Sequence, residues 1–167
     1  MKVAIYPGSF DPITSGHLNI IQRAARIFDR VIVCVMVNSS KAPLFSREER
    51  VDMIRSVTEN IPNVEVDSSD ALLASYAFDK GSCVIVKGLR AGSDFENEFQ
   101  MALINKKLNS ELDTLFLTAE HQFMHLSSSL VKELANYDVD LSEFLPEQVV
   151  PVFKQRIADI REGGYRK

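Results

Sequence analysis

Val3-Ala4-Ile5-Tyr6-Pro7-Gly8-Ser9-Phe10-Asp11-Pro12-Ile13-Thr14-Ser15-Gly16-His17 is the stretch that decides the fold. Val3 to Tyr6 is an apolar run that reads as a short buried strand. From Leu18 to Phe28 the apolar positions recur at helical spacing. Between them lies a loop containing Pro7, Gly8, Ser9, Pro12, Thr14, Ser15 and Gly16, joining a strand end to a helix start. Backbone amides converge readily on an anion in such a loop, and the helix N-terminus adds partial positive charge. His17 opens the helix, where its imidazole can lean over that anion.

The same alternation of strand and helix continues along the chain. Val31–Val37 is nearly all apolar, as suits a strand covered on both faces. Ser46 and Glu49 form a capping box for a helix that turns Val51, Ile54 and Val57 inward and ends near Asn60, before Pro62. Val64–Val66 predicts a third strand, Asp70 the cap of a helix through Ala71–Phe78, and Val84–Val86 a fourth strand running into Lys87-Gly88-Leu89-Arg90. In the next helix Phe95, Phe99, Ala102 and Leu103 read as the core stripe, with Glu98, Met101 and Asn105 on an adjoining face. Leu115–Leu117 predicts a fifth strand. A loop through Thr118–Leu126 then reaches Ser127, Ser128 and Ser129 at a further helix start. Helical stretches around Leu141–Leu145 and Glu147–Ile160 follow, and residues 163–167 read as a mobile tail.

This order predicts an α/β fold: a Rossmann-like, doubly wound, five-stranded parallel sheet with helices on both faces and a C-terminal helical segment over about 141–160. With no linker or repeat, residues 1–167 are expected to form one domain. Ligands in such sheets gather beyond the carboxyl ends of the strands. Ser9 to His17, Lys41, Lys87 to Arg90 and Ser127 to Ser129 all fall at strand exits or the helix starts after them.

Bulk properties exclude several classes. The hydrophobic fraction of 46% and charged fraction of 25% are those of a globular domain, and a net charge of −4 argues against a broad nucleic-acid surface. No apolar run reaches the roughly 18 residues of a membrane span, and no leader pattern opens the chain, so a cytoplasmic setting is expected. Cys34 and Cys83 lie in apolar runs and read as buried, reduced thiols. Their spacing makes neither a disulfide framework nor a metal site, and His121 and His125 on one loop are too few ligands. No protein metal site is assigned.

There is no Gly-x-Gly-x-x-Gly after the first strand and no Gly-x-x-x-x-Gly-Lys-Ser/Thr, so neither a dinucleotide fingerprint nor a P-loop carries the phosphate chemistry. In their place stand Thr14-Ser15-Gly16-His17 and, far along the chain, Ser127-Ser128-Ser129-Leu130-Val131-Lys132. This pair resembles the signatures of the nucleotidyltransferase superfamily. With Tyr6 to His17, Lys87-Gly88-Leu89-Arg90 and Asp94-Phe95-Glu96-Asn97-Glu98, the chain from Val3 to about Pro146 resembles the bacterial phosphopantetheine adenylyltransferases.

That resemblance implies transfer of the adenylyl group of ATP to 4′-phosphopantetheine, giving 3′-dephospho-coenzyme A and pyrophosphate, the penultimate step of coenzyme A synthesis. The acceptor phosphate monoester is mostly anionic at neutral pH, its second pKa being about 6, so the chemistry needs no dedicated general base. It needs two repelling anions aligned and the charge of the transferring group stabilised.

By matched position the resemblance implies His17, Lys41 and Arg90 as the catalytic residues. It implies a nucleotide site of Ser9, Phe10, His17, Gly88, Leu89, Arg90, Glu98 and the loop Phe123, Met124, His125, Leu126, Ser127, Ser128 and Ser129. For the acceptor it implies Ser9, Lys41, Leu73 and Lys87. Many relatives carry Thr in place of Ser9 and Arg in place of Lys87. Ser keeps the hydroxyl, and Lys keeps the charge while losing the bidentate fork. Magnesium bound through the ATP phosphates, a homohexamer and feedback binding of coenzyme A are further expectations of the resemblance. Other readings are a nucleotidyltransferase acting on nicotinate mononucleotide, a CTP-dependent one acting on an alcohol phosphate, and a noncatalytic nucleotide-binding module.

Overall fold

Val3 to Tyr6 and Val31 to Val35 are buried on both faces, as parallel strands between two helical layers must be. A computed structural model describes residues 2–37, 42–90, 92–137 and 139–164. In chain order the elements are β1 (Val3–Gly8), α1 (Ser15–Ile27), β2 (Arg30–Met36), α2 (Arg47–Thr58), β3 (Val64–Ser69), α3 (Leu73–Asp79), β4 (Val84–Leu89), α4 (Gly92–Leu108), β5 (Asp113–Thr118), α5 (Ser128–Leu134) and α6 (Val149–Gly164). The strands form one parallel sheet in the order β3-β2-β1-β4-β5, the doubly wound arrangement expected.

Alternation along the strands divides the core in two. Ala4, Tyr6, Val31, Val33, Val35 and Val86 meet Ile20, Ile21 and Ala24 of α1, Val51 and Ile54 of α2, and Val149 and Phe153 of α6. Val3, Ile5, Ile32, Cys34 and Ile85 meet Ala74, Tyr76 and Ala77 of α3 on the opposite face. α4 packs on α3, β4 and β5. The sheet therefore grows in one direction from β1 through β2 and β3, then in the other through β4 and β5. The crevice between the carboxyl ends of β1 and β4 is the switch point where a ligand site is expected.

Local chemistry sets the helix starts. Thr14 caps α1, its hydroxyl accepting from the His17 amide at 3.3 Å. Ser46 and Glu49 complete the expected capping box on α2, at 3.2 Å and 2.8 Å. Each such cap is worth about 1 kcal/mol.

Several expectations need correction. β3 continues to Ser69, which pairs with Met36, so α3 starts only at Leu73 and Leu72 rather than Asp70 stands at its cap. Asp70 instead lies 3.7 Å from Arg47. Residues 142–144 form a turn rather than a helix, and the Asp140 carboxylate accepts from both the amide and the hydroxyl of Ser142 at its start. Gly163 and Gly164 close α6 rather than forming a loose tail, and residues 165–167 lie outside the described residues. Cys34 is buried, whereas Cys83, one residue before β4, is exposed. In α4 the expected core stripe faces outward: Phe95 is 44% exposed, Phe99 45% and Leu103 56%, while Asn105 is buried. Spacing identifies an apolar helix face but not what that face meets.

Candidate active site

A cavity of about 660 Å³ opens at the switch point, beyond the carboxyl ends of β1 and β4. Of the residues expected at the site, Ser9, Phe10, His17, Leu73, Lys87, Gly88, Arg90, Glu98, Phe123, Leu126, Ser127, Ser128 and Ser129 line it. Leu89, Met124 and His125 do not. Leu89 is part of β4 and its carbonyl accepts from Ala119 N–H at 2.7 Å. Met124 and His125 are exposed, the latter with its ring edge against Phe144. Lys41 lies outside the described residues. Tyr6 within β1, Met36 at the end of β2, and Asn97 and Met101 on α4 also line the cavity. For Met36 the legible signal was its position at a strand exit, and for Tyr6 its place just before the loop expected over residues 7–16.

The imidazole of His17 is fixed by its own helix start. Nδ1 lies 3.1 Å from both the amide and the hydroxyl oxygen of Thr14. Because the amide can only donate, Nδ1 is an acceptor and the ring proton of the neutral form resides on Nε2. Burial, and then the positive charges of Arg90 and Lys87, push the His17 pKa down to about 4. At neutral pH the ring is an uncharged donor through Nε2–H.

Behind it, the Phe10 ring lies edge-on to His17 at 5.1 Å and to Tyr6 at 5.3 Å. Phe10 takes a left-handed φ of 46° and is only 1% exposed, so its ring backs the imidazole. A Cβ at Gly8 would fall 3.0 Å from that ring, which is why the residue before Ser9 has no side chain. Gly88 has the same relation to α1, where a Cβ would sit 3.0 Å from Ile20 Cγ1.

Buried polar ties hold the loop around these rings. The Asp11 carboxylate, 5% exposed, accepts from Leu44 and Phe45 amides at 2.9 Å each and from Lys132 Nζ at 3.1 Å. Arg50, 4% exposed, donates to the Ser9 carbonyl at 2.9 Å. Ser128 Oγ donates to the Pro12 carbonyl at 2.8 Å, and Ser15 N–H to Phe144 O at 3.0 Å. Ser127 Oγ accepts from Leu130 N–H and caps α5. The hydroxyls of Ser127 and Ser128 thus already have protein partners, while Ser129 stands exposed at the cavity edge. Asp11 and Arg50 were not singled out from sequence. Arg50 carried a signal: it stands four residues before Ile54, on the buried side of α2.

The cations at the other wall are also oriented. Lys87 Nζ lies 3.1 Å and 3.3 Å from the two Glu98 oxygens, so these residues, expected on different substrates, are in contact with each other. Arg90 donates to the Leu126 carbonyl at 2.8 Å and so ties the strand exit to the serine loop. Burial and then the Glu98 charge raise the Tyr6 pKa, which keeps its hydroxyl protonated.

A helix-opening imidazole donor, paired cations and a distant serine loop on this fold define a nucleotidyltransferase. Residues 5–134 match the cytidylyltransferase-like family. The chain is 56% identical over 149 residues to a phosphopantetheine adenylyltransferase of Caldanaerobacter subterraneus, covering 89% of this chain and 93% of that protein. It is 54% identical over 156 residues to one of Alkaliphilus metalliredigens, covering 93% and 99%. The chain belongs to the phosphopantetheine adenylyltransferase family. Its fold is shared more distantly with a nicotinic acid mononucleotide adenylyltransferase of Plasmodium falciparum, at TM-score 0.67 and 14% identity over 95% of each chain.

Proposed function

We propose that the chain joins ATP and 4′-phosphopantetheine in its 660 Å³ cavity, forming 3′-dephospho-coenzyme A and pyrophosphate in coenzyme A biosynthesis. The observation that carries the mechanism is His17, whose Nδ1 is occupied by Thr14 so that Nε2–H alone remains for the ligand. An oxygen of the acceptor phosphate attacks the α-phosphorus of ATP. The new P–O bond forms as the bond to the bridging α–β oxygen breaks, and the electron pair leaves on pyrophosphate. His17 donates Nε2–H to a non-bridging α-phosphate oxygen and transfers no proton. Removing such a donor costs on the order of 3 kcal/mol of transition-state stabilisation.

Arg90, Gly88, the loop to Ser129 and the Ser9 loop hold the nucleotide; Leu89 and Phe10 act through backbone position and ring support. Ser9, Lys41 and Lys87 hold the acceptor phosphate, and Leu73 its pantetheine arm. ATP enters as its magnesium complex, the ion riding on the phosphates. Glu98, the carboxylate among the described lining residues, is engaged by Lys87 rather than offered to a cation. When an acceptor phosphate takes Lys87, Glu98 is released toward the nucleotide.

The outward apolar face of α4 supports assembly into a homohexamer, and the cavity would also take coenzyme A as a feedback ligand. Among the described residues no helix is long and apolar enough to cross a membrane, and we place the reaction in the cytoplasm. Pyrophosphate release measured with Mg–ATP and each acceptor tests the reading. The expected result is the highest kcat/KM with 4′-phosphopantetheine. Equal or faster release with nicotinate mononucleotide, or ATP binding without turnover, overturns it.

A further inference from the structure

On the face of the sheet opposite α1, a polar cluster joins β3 to α3. The Tyr76 hydroxyl donates to Asp67 Oδ2 at 2.8 Å, and Lys80 Nζ reaches the same oxygen at 2.7 Å. Asp67 Oδ1 accepts from the Ser68 amide at 2.8 Å. Lys80 also lies 5.3 Å from the centre of the Tyr76 ring. Tyr76 itself is only 6% exposed. Its hydroxyl touches the thiol of Cys34, which stands beside Asp67 in the β2–β3 register and lies 3.6 Å from Met36 Sδ.

Two branches run from this cluster to the cavity. Along α3, Tyr76 lies one turn after Leu73, which lines the cavity. Along β2, Cys34 packs against Met36, which lines it too. α3 is seven residues long and has no side-chain hydrogen bond at its cap, so its own termini anchor it weakly. The bonds from Tyr76 and Lys80 to Asp67 supply the missing anchor, and hydrogen bonds to a charged group are the stronger kind.

We infer that Asp67, through Tyr76 and Lys80, positions the cavity wall made by Leu73 and Met36 and thereby sets affinity for the acceptor without touching it. Asp67, Tyr76 and Lys80 are positioning residues, and the inference rests on the adenylyl-transfer reading, which puts the pantetheine arm against Leu73. Loosening this wall removes binding common to ground and transition states, so it moves KM for the acceptor and leaves kcat in place.

Steady-state kinetics with each substrate varied in turn decide the matter. Tyr76→Phe and Asp67→Asn are expected to raise KM for 4′-phosphopantetheine about fivefold, with KM for ATP and kcat within about twofold of the parent. Lys80→Gln, partly exposed and therefore safe for folding, shifts the same constant in the same direction by less. Asn63→Ala removes bonds to Ala25 O and Phe28 O at 2.8 Å and 2.9 Å on the other face, and lowers Tm without moving KM. Leu73→Ala reports the wall itself. If it raises acceptor KM while Tyr76→Phe and Asp67→Asn do not, the positioning role is overturned and the catalytic reading stands. If those variants raise both KM values alike, general loosening is the cause and the inference falls. If the parent enzyme turns over no 4′-phosphopantetheine, both readings fall together.

Discussion

Ser9 to His17 is tied down by a carboxylate, a guanidinium and a serine hydroxyl, with partners drawn from α2, α5 and the turn before α6. The wall across the cavity is made by α4, which carries Asn97, Glu98 and Met101 to the cavity while Phe95, Phe99 and Leu103 face outward. The first region is braced within one chain, because the buried Asp11 carboxylate and the Thr14 hydroxyl both have internal partners. The second is satisfied on one side only. Pre-organisation of this kind belongs where charge develops in the transition state, since a misplaced donor there costs rate directly.

The largest expected effect tests the braced side. His17→Ala should lower turnover by about a hundredfold or more, with circular dichroism unchanged. A near-normal rate would show that the braced loop only binds.

Asp11→Ala comes next. It strands Lys132 and leaves two amides without their acceptor, and should cost about 3 kcal/mol in denaturant unfolding. Gly88→Ala should cost about 2 kcal/mol, because its methyl group forces Ile20 from its rotamer.

Protonation sharpens the comparison further. The His17 pKa of about 4 lies below the ordinary 6.5, so between those values the unfolded chain binds more protons than the folded one. This contribution to stability is present above pH 6.5 and is lost as pH falls toward 4. His17→Gln should flatten that part of the stability profile, and imidazole nitrogen NMR should show the Nε2–H tautomer with a midpoint near 4. The smallest effect on the single chain belongs to the open side. Phe99→Glu should change unfolding free energy by no more than about 0.5 kcal/mol while reducing the assembly seen by light scattering. If stability drops sharply and the assembly persists, α4 is packed within the chain after all.

Much of the fold was legible because its signals are local. Val31 to Val35 could only be a strand covered twice, and Thr14 and Ser46 announce helix starts whatever lies around them. The residues that line the cavity were legible where a motif sits at a strand exit or a helix start, as with Ser9, His17, Gly88 and Ser127. Asp11 and Arg50 escaped because their partners are remote: Asp11 bonds Leu44 and Phe45, and Arg50 the Ser9 carbonyl. The cap expected at Asp70 failed because pairing of Ser69 with Met36 overrode a local preference.

By itself the sequence determined the five strands and the helices between them, the loop that joins β1 to α1 and the reaction family, since periodicity, capping and motif spacing act within a few turns of chain. Tertiary structure decided that His17 is buried beside Arg90 and Lys87, that Arg90 meets the Leu126 carbonyl, and that the apolar stripe of α4 turns outward. Those outcomes depend on distances between residues far apart in the chain, and electrostatics and packing are set by such distances.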